Sequence, residues 1–230
     1  MTGFGPYVPP EQLMKDRSEY ARKGIARGKS VVILEYADGI LFLAENPSAT
    51  LHKISEIYDR IGFAAVGKYS EFEELRIAGV QHADGRGYAY SRLDVKGKAL
   101  ANAYSQFLSA VFTQAPKPHE VEILIAEMGE DGSGNELYHI LFDGSVTDEQ
   151  GAVGIGGHAE QLTQSLKEAW TEDLALDAAI KIAVAALSEV EDRTLEADQI
   201  EAAVLDRTRK AERKFRRLDE PAIREVLSTR

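Results

Sequence analysis

Lys15 through Ser30 is a polar, amphipathic run that empties directly into a strand, and this junction limits what the chain can become. Pro9-Pro10 lead into Glu11 to Ala26, which puts a proline at the first helical position, where its missing N–H costs nothing. Leu13, Tyr20, Ala21 and Ile25 fall near one face of the predicted helix, and Gly28 reads as its stop. The period then changes from helical to alternating. Ser30 to Tyr36 and Ile40 to Glu45 are apolar, β-branched-rich runs joined by Ala37-Asp38-Gly39, and an Asp-Gly step between such runs is a strong hairpin signal. The helix is therefore an N-terminal extension in front of a sheet core that the rest of the chain must complete.

The downstream pattern supplies that core in blocks. A second hairpin is predicted from Lys53 to Tyr58 and Ile61 to Val66 around Asp59-Arg60. Helical spacing follows over Tyr69 to Val80 (Phe72, Leu75, Ile77) and over Val95 to Thr113 (Leu100, Tyr104, Phe107, Leu108, Val111), with Pro116 and Pro118 closing the second helix. Val121 to Met128 and Leu137 to Phe142 read as strands around the Gly-rich loop Gly129 to Asn135, and Ala152 to Ile155 as a short strand. Helices are predicted over His158 to Trp170 and Leu174 to Val190, a strand over Ile200 to Leu205, and a charged helix over Arg207 to Leu218. Strands, two helices, strands, two helices is the order of an α+β fold: two stacked antiparallel sheets, a helical layer on each outer face, and the extra N-terminal helix.

Composition narrows the function. No cysteine is present among 230 residues, which excludes disulfides, thiolate metal sites and a cysteine nucleophile and agrees with a reducing cytoplasm. A net charge of −11 argues against generic phosphate binding to nucleic acid, which draws on basic charge. No apolar run approaches the roughly 18 residues that cross a bilayer, and Met1 to Pro10 lacks the pattern of a secretory signal, so no membrane association is expected.

Several motifs carry two readings. Gly154-Ile155-Gly156-Gly157-His158-Ala159 fits a dinucleotide fingerprint, yet it follows a hairpin rather than a βαβ unit, which favours close strand-to-helix packing. Asp131, Ser133 and Asn135 have the first spacings of a calcium loop, but Glu136 and Phe142 stand where its Gly and final Glu belong, so a hairpin turn is the better account. The histidines at 52, 82, 119, 139 and 158 have no metal-ligand spacing, and neither a metal nor a cofactor is expected. Lys210, Arg213, Lys214, Arg216 and Arg217, interleaved with Glu212 and Asp219, read as a solvated helix face.

In their order and spacing, Glu19-Tyr20-Ala21, the Asp38-Gly39 hairpin, Lys53-Ile54, Asp59 to Gly67 and Val153 to Glu160 resemble the α subunits of the proteasome core particle. Pro9 to Arg17 is similar to their actinobacterial version. The resemblance covers about Tyr7 to Leu205. It implies the αββα sandwich of the N-terminal nucleophile (Ntn) hydrolases, with residues 1–10 a flexible gate segment, 11–28 the extra helix, 29–218 the sandwich and 219–230 a flexible tail.

In the catalytic subunits of that family a threonine freed by cleavage is the nucleophile, helped by an acidic residue and a lysine. The resemblance places Lys29 at the nucleophile, Glu45 at the acid and Lys53 at the lysine, which implies a non-catalytic subunit. It further implies a homo-heptameric ring over the β subunits, gated by Thr2, Gly3, Phe4, Gly5, Tyr7 and Val8 and anchored by Tyr20. Lys53, Gly67 and Glu19 would form a pocket for a ring-shaped AAA ATPase activator, with tagged substrates carrying a prokaryotic ubiquitin-like modifier. Two alternatives stay open: a self-processing hydrolase with Ser30 as nucleophile, and a nucleotide binder using Gly154 to Ala159.

Overall fold

A computed structural model describes residues 9–130 and 133–229. In chain order the elements are α1 (Pro10–Ile25), β1 (Val31–Tyr36), β2 (Gly39–Glu45), β3 (Ile54–Tyr58), β4 (Ile61–Gly67), α2 (Tyr69–Ala89), α3 (Gly97–Gln114), β5 (Val121–Glu127), β6 (Glu136–Ile140), β7 (Val146–Glu149), β8 (Ala152–Ile155), α4 (Ala159–Ala169), α5 (Leu176–Val190), β9 (Ile200–Asp206), β10 (Phe215–Leu218) and α6 (Glu220–Ser228). The strands form two five-stranded antiparallel sheets, ordered β10-β9-β2-β1-β8 and β3-β4-β5-β6-β7. The second sheet is a meander of chain neighbours. The first gathers strands from both ends of the sequence.

Why these runs are almost continuously apolar follows from the layering. In β2, Ile40, Phe42 and Ala44 point between the sheets, while Leu41 and Leu43 point outward under α5. In β4, Ala64 and Val66 point inward and Ile61, Phe63 and Ala65 outward under α2 and α3. Each central strand is covered on both faces, so both sets of alternating residues must be apolar. The result is the αββα sandwich that the block order predicts, with α4, α5 and α6 on one face and α2 and α3 on the other. The extra helix α1 lies against β4 and β5.

Four local expectations change. On α1, Leu13 and Tyr20 are exposed, and the buried line is Ala21 and Ile25 with Met14 packed beside it. Helix α2 runs nine residues past Val80 to Ala89. Two of its three glycines serve contacts: a Cβ at Gly79 would strike the Tyr104 hydroxyl and one at Gly87 that of Tyr58. Strand β7 carried no apolar signal because Val146-Thr147-Asp148-Glu149 is a largely exposed edge. Arg207 to Leu218 is not a helix, and its last four residues form β10, paired with β9 so that Phe215 faces Leu205 and enters the core between the sheets.

The basic cluster is accordingly not a solvated helix face. Arg213 Nε bonds Glu56 Oε1 at 2.8 Å, Arg217 Nη2 bonds the Ile54 carbonyl at 2.7 Å, and Lys214 N bonds the Asp59 carbonyl at 2.7 Å, so the cluster ties the edge of one sheet to β3 of the other. Nor is the C-terminal segment a loose tail. Asp219 caps α6 by accepting from Ala222 N at 3.2 Å, and the buried Ile223 joins the layer outside the first sheet. The expected gate residues Thr2, Gly3, Phe4, Gly5, Tyr7 and Val8 lie outside the described residues, as does Asp131. Among the described residues no helix is long and apolar enough to cross a membrane.

Candidate functional site

At the α1 end of the sandwich the chain leaves the helix through Gly28-Lys29 and enters β1 at Ser30. Gly28 does terminate the region of α1, with its N–H on the Ile25 carbonyl at 2.9 Å. Its reason for being glycine is proximity, since a Cβ would sit 2.8 Å from Val66 Cγ1 and 3.1 Å from Gly67 N.

Lys29, Glu45 and Lys53, assigned to one site by resemblance, do come together. Lys29 Nζ lies 2.9 Å from Glu191 Oε2 and 3.3 Å from Glu45 Oε1, and Arg193 also pairs with Glu45 Oε1. Lys53 Nζ donates to the Lys29 carbonyl at 2.5 Å. The hydrogen bond that Lys29 donates to Glu191, helped by Glu45, raises its ammonium above the usual range. Burial acts in the opposite sense on Lys53 and lowers it to about 8 against the pull of Glu45 and Glu201. Glu191 and Arg193 escaped the sequence reading. They flank Asp192, whose φ of +50° turns the chain after α5, and nothing in the spacing from Glu45 to Arg193 announces their meeting.

The arrangement has the acid and the lysine of a nucleophilic site without the nucleophile. An ammonium held in two ion pairs has no free lone pair with which to attack, and the backbone nitrogen of Lys29 is an amide. Ser30, the alternative, is 2% exposed, and Gly156, at φ +117°, would bring any added Cβ within 2.9 Å of its Oγ. The hydroxyl lies against Gly156, just past the end of β8.

The other predicted site residues take different positions. Gly67 has φ +119° and pairs with Val121, and an added Cβ would strike the Glu120 carbonyl, so both conformation and space require glycine. Through Gly28 it borders the same joint as Lys53. Glu19 and Tyr20 lie on the exposed side of α1. Lys117 Nζ sits 5.5 Å from the Tyr20 ring centroid and bonds Glu71 Oε1 at 2.6 Å and Glu120 Oε2 at 2.8 Å, linking α1 to the loop before β5. Arg17, not singled out in the sequence, donates from Nε to the Phe112 carbonyl at 2.7 Å and from Nη2 to the Val111 carbonyl at 3.2 Å. A cation on the last carbonyls of α3 complements that helix end, so Arg17 pins α1 in place.

Gly156 to Ala159 border a cleft of about 590 Å³ beside α1. Inside it Glu122 Oε1 meets His139 Nε2 at 2.6 Å, and Glu122 Oε2 accepts from Gly156 N at 3.2 Å. The preceding strand β8 is antiparallel to β1, and a Cβ on Gly154 would lie 2.6 Å from Leu162 Cγ. Gly154 serves strand-to-helix packing, as expected, while Gly156 lies against Ser30 and Gly157 against Ala26. Asn135 is likewise a strut, bonding Glu35 Oε2 at 2.7 Å and accepting from Arg207 at 3.0 Å.

The comparisons with known proteins agree with this architecture. The family model described as "Proteasome subunit" matches residues 25–205. "Proteasome subunit alpha" of Thermomonospora curvata is 57% identical over 223 residues, covering 96% of each chain. The proteins of that name from Nocardioides sp. and Frankia alni are 56% and 55% identical, covering 97% and 98% of this chain and 89% and 96% of their own. The chain therefore belongs to the proteasome subunit family, in which it is most at home beside the α subunits.

Proposed function

We propose that this chain is a non-catalytic α subunit in the outer ring of a proteasome core particle, and that it controls entry to a chamber in which β subunits cleave substrate. The carrying observation is the occupied mouth of the sandwich. Where a catalytic relative needs a free nucleophile, Lys29 is ion-paired to Glu191 and Glu45, with α1 packed across β4 and β5. Names of relatives that match over nearly their whole length support the same reading. In it the residues before Pro9 form the gate, Tyr20 and Arg17 hold its base, and Lys53 with Gly67 receives the tail of a ring ATPase. Seven copies would form the ring, on β subunits, in the cytoplasm, and substrates would arrive carrying a ubiquitin-like tag.

Coexpression with a β subunit from an actinobacterial proteasome tests the whole reading. Deleting residues 2–8 is expected to raise hydrolysis of a fluorogenic peptide by the assembled particle. Unchanged turnover in an intact particle would remove the gate assignment. Intact mass of this chain separates the self-processing alternative, since a loss of residues 1–29 would make Ser30 the nucleophile.

A further inference from the structure

Helix α1 is fastened to the sandwich by few contacts. Of its 16 residues only Ala21 and Ile25 are buried, with Met14 packed beside them, and all three face the core between the sheets. The two outer apolar clusters receive nothing from it. Among the described residues, Arg17 alone carries hydrogen bonds from an α1 side chain to the rest of the fold. Its Nε donates to the Phe112 carbonyl at 2.7 Å, Nη2 to the Val111 carbonyl at 3.2 Å and Nη1 to the Pro116 carbonyl at 3.5 Å. The guanidinium also lies 5.6 Å from the Phe112 ring centroid. The bonds Gln12 to Asp16 and Ser18 to Met14 stay within the helix.

Such a seat makes the attachment all-or-none. A helix of this length is marginal in water without tertiary contacts, so α1 does not stay helical once Arg17 and Ile25 let go. The sandwich loses little in the same event, because its ten strands pair with one another and the outer clusters contain no residue of α1. What opens is the cleft of about 590 Å³, one wall of which is Arg22, Ile25 and Ala26. His139 lines the same cleft, half-buried against Glu122.

We propose that α1 is a strap across this cleft that opens as one unit while the sandwich stays folded, and that Arg17 is the positioning residue that holds it shut. The inference goes beyond the subunit reading and draws on these contacts alone. Folded chains open in units of unequal stability, and those with few buried apolar contacts open first. Arg17 suits the role because a guanidinium bonds several carbonyls at once and stacks on a ring. It also sits at the end of α3, where the carbonyls carry partial negative charge.

Native-state hydrogen exchange of the full chain in sub-denaturing urea, read by mass spectrometry, tests the strap. The amides of residues 14–25 are expected to exchange together and ahead of those of β2 and β4. Arg17→Met is expected to speed the α1 amides about tenfold, the scale of one lost charge-assisted hydrogen bond, and Arg17→Lys to recover part of that loss. Trp170, the sole tryptophan, packs against the layer outside the first sheet. Its fluorescence midpoint in urea is expected to stay unchanged in Arg17→Met, because the strap has left before the sandwich unfolds. Carbethoxylation of His139 by diethyl pyrocarbonate is expected to rise in the same variant relative to His82, which is exposed on α2. Exchange of α1 in step with β2 and β4, or a lowered Trp170 midpoint in Arg17→Met, overturns the separate strap. A faster α1 with His139 labelling unchanged overturns its place over the cleft, and unaltered exchange in Arg17→Met overturns the role of Arg17. Should that variant fail to fold, exchange in the unmodified chain decides alone.

Discussion

Gly39, Gly85 and Lys53 show how differently single residues are constrained. Gly39 has φ +154°, and an added Cβ would meet the Leu205 carbonyl of the neighbouring strand, so Gly39→Ala is expected to cost about 1–3 kcal/mol in denaturant unfolding. Gly85 sits within α2 with nothing within 4 Å of an added Cβ, and Gly85→Ala is expected to stabilise by about 0.5–1 kcal/mol. The sequence marks Gly39 through its Asp-Gly step but gives no means of telling the two glycines apart, because their difference lies in what approaches them. Lys53 has its own signature. Its native pKa of about 8 is below the 10.5 of the unfolded chain, so between these pH values the unfolded state holds a proton that the native state has released. Stability contributed by this group therefore rises as pH climbs from 8 to 10.5, with the carboxylates of Glu45, Glu191 and Glu201 and the cation of Lys29 acting on it. Urea unfolding of the native chain is expected to gain on Lys53→Met across that window, and parallel pH profiles would contradict the assignment.

At the level of elements, the sequence was most readable where both faces of a strand or one face of a helix are covered. The hairpins β1–β2 and β3–β4 and helices α3, α4 and α5 stand close to their predicted places, because burial on two faces leaves an unbroken apolar run and burial on one leaves a helical stripe. The failures were two of the four edge strands. β7 and β10 each border a single neighbour, and their residues answer to solvent as much as to the sheet. In β10 Phe215 and Leu218 stand three apart around Arg216 and Arg217, a spacing without alternation, and the partners of the basic cluster, Glu56, Asp59 and Ile54, lie about 160 positions earlier in the sequence. The final helix repeats the lesson. Ile223 is 1% exposed in α6, so Ile223→Ala is expected to lower stability by about 3 kcal/mol, whereas a loose tail would register no change.

For the whole molecule the assembly of the first sheet is decisive. β1 and β2 come from the front of the chain and β8, β9 and β10 from the back, so the mouth of the sandwich gathers Lys29, Glu45, Lys53, Glu191, Arg193 and Glu201 only when both ends have met. The absence of a free nucleophile there leads to a plain expectation: the purified chain hydrolyses no fluorogenic peptide, and activity appears only on assembly with β subunits. Turnover by the chain alone, free of contaminating protease, would contradict the non-catalytic reading. By itself the sequence determined the order of layers and the extra helix, because alternation, helical spacing and short motifs are local properties of a chain; the pairing of Lys29, Glu45 and Lys53 in one site came only from the family resemblance. Only the tertiary structure decided that the Lys29 charge is neutralised by Glu191 and Glu45, that Lys53 holds a carbonyl rather than a carboxylate, and that the last strand and helix are ordered. Those outcomes depend on which groups meet across long separations and on how much water burial removes from them, and neither quantity is written in local pattern.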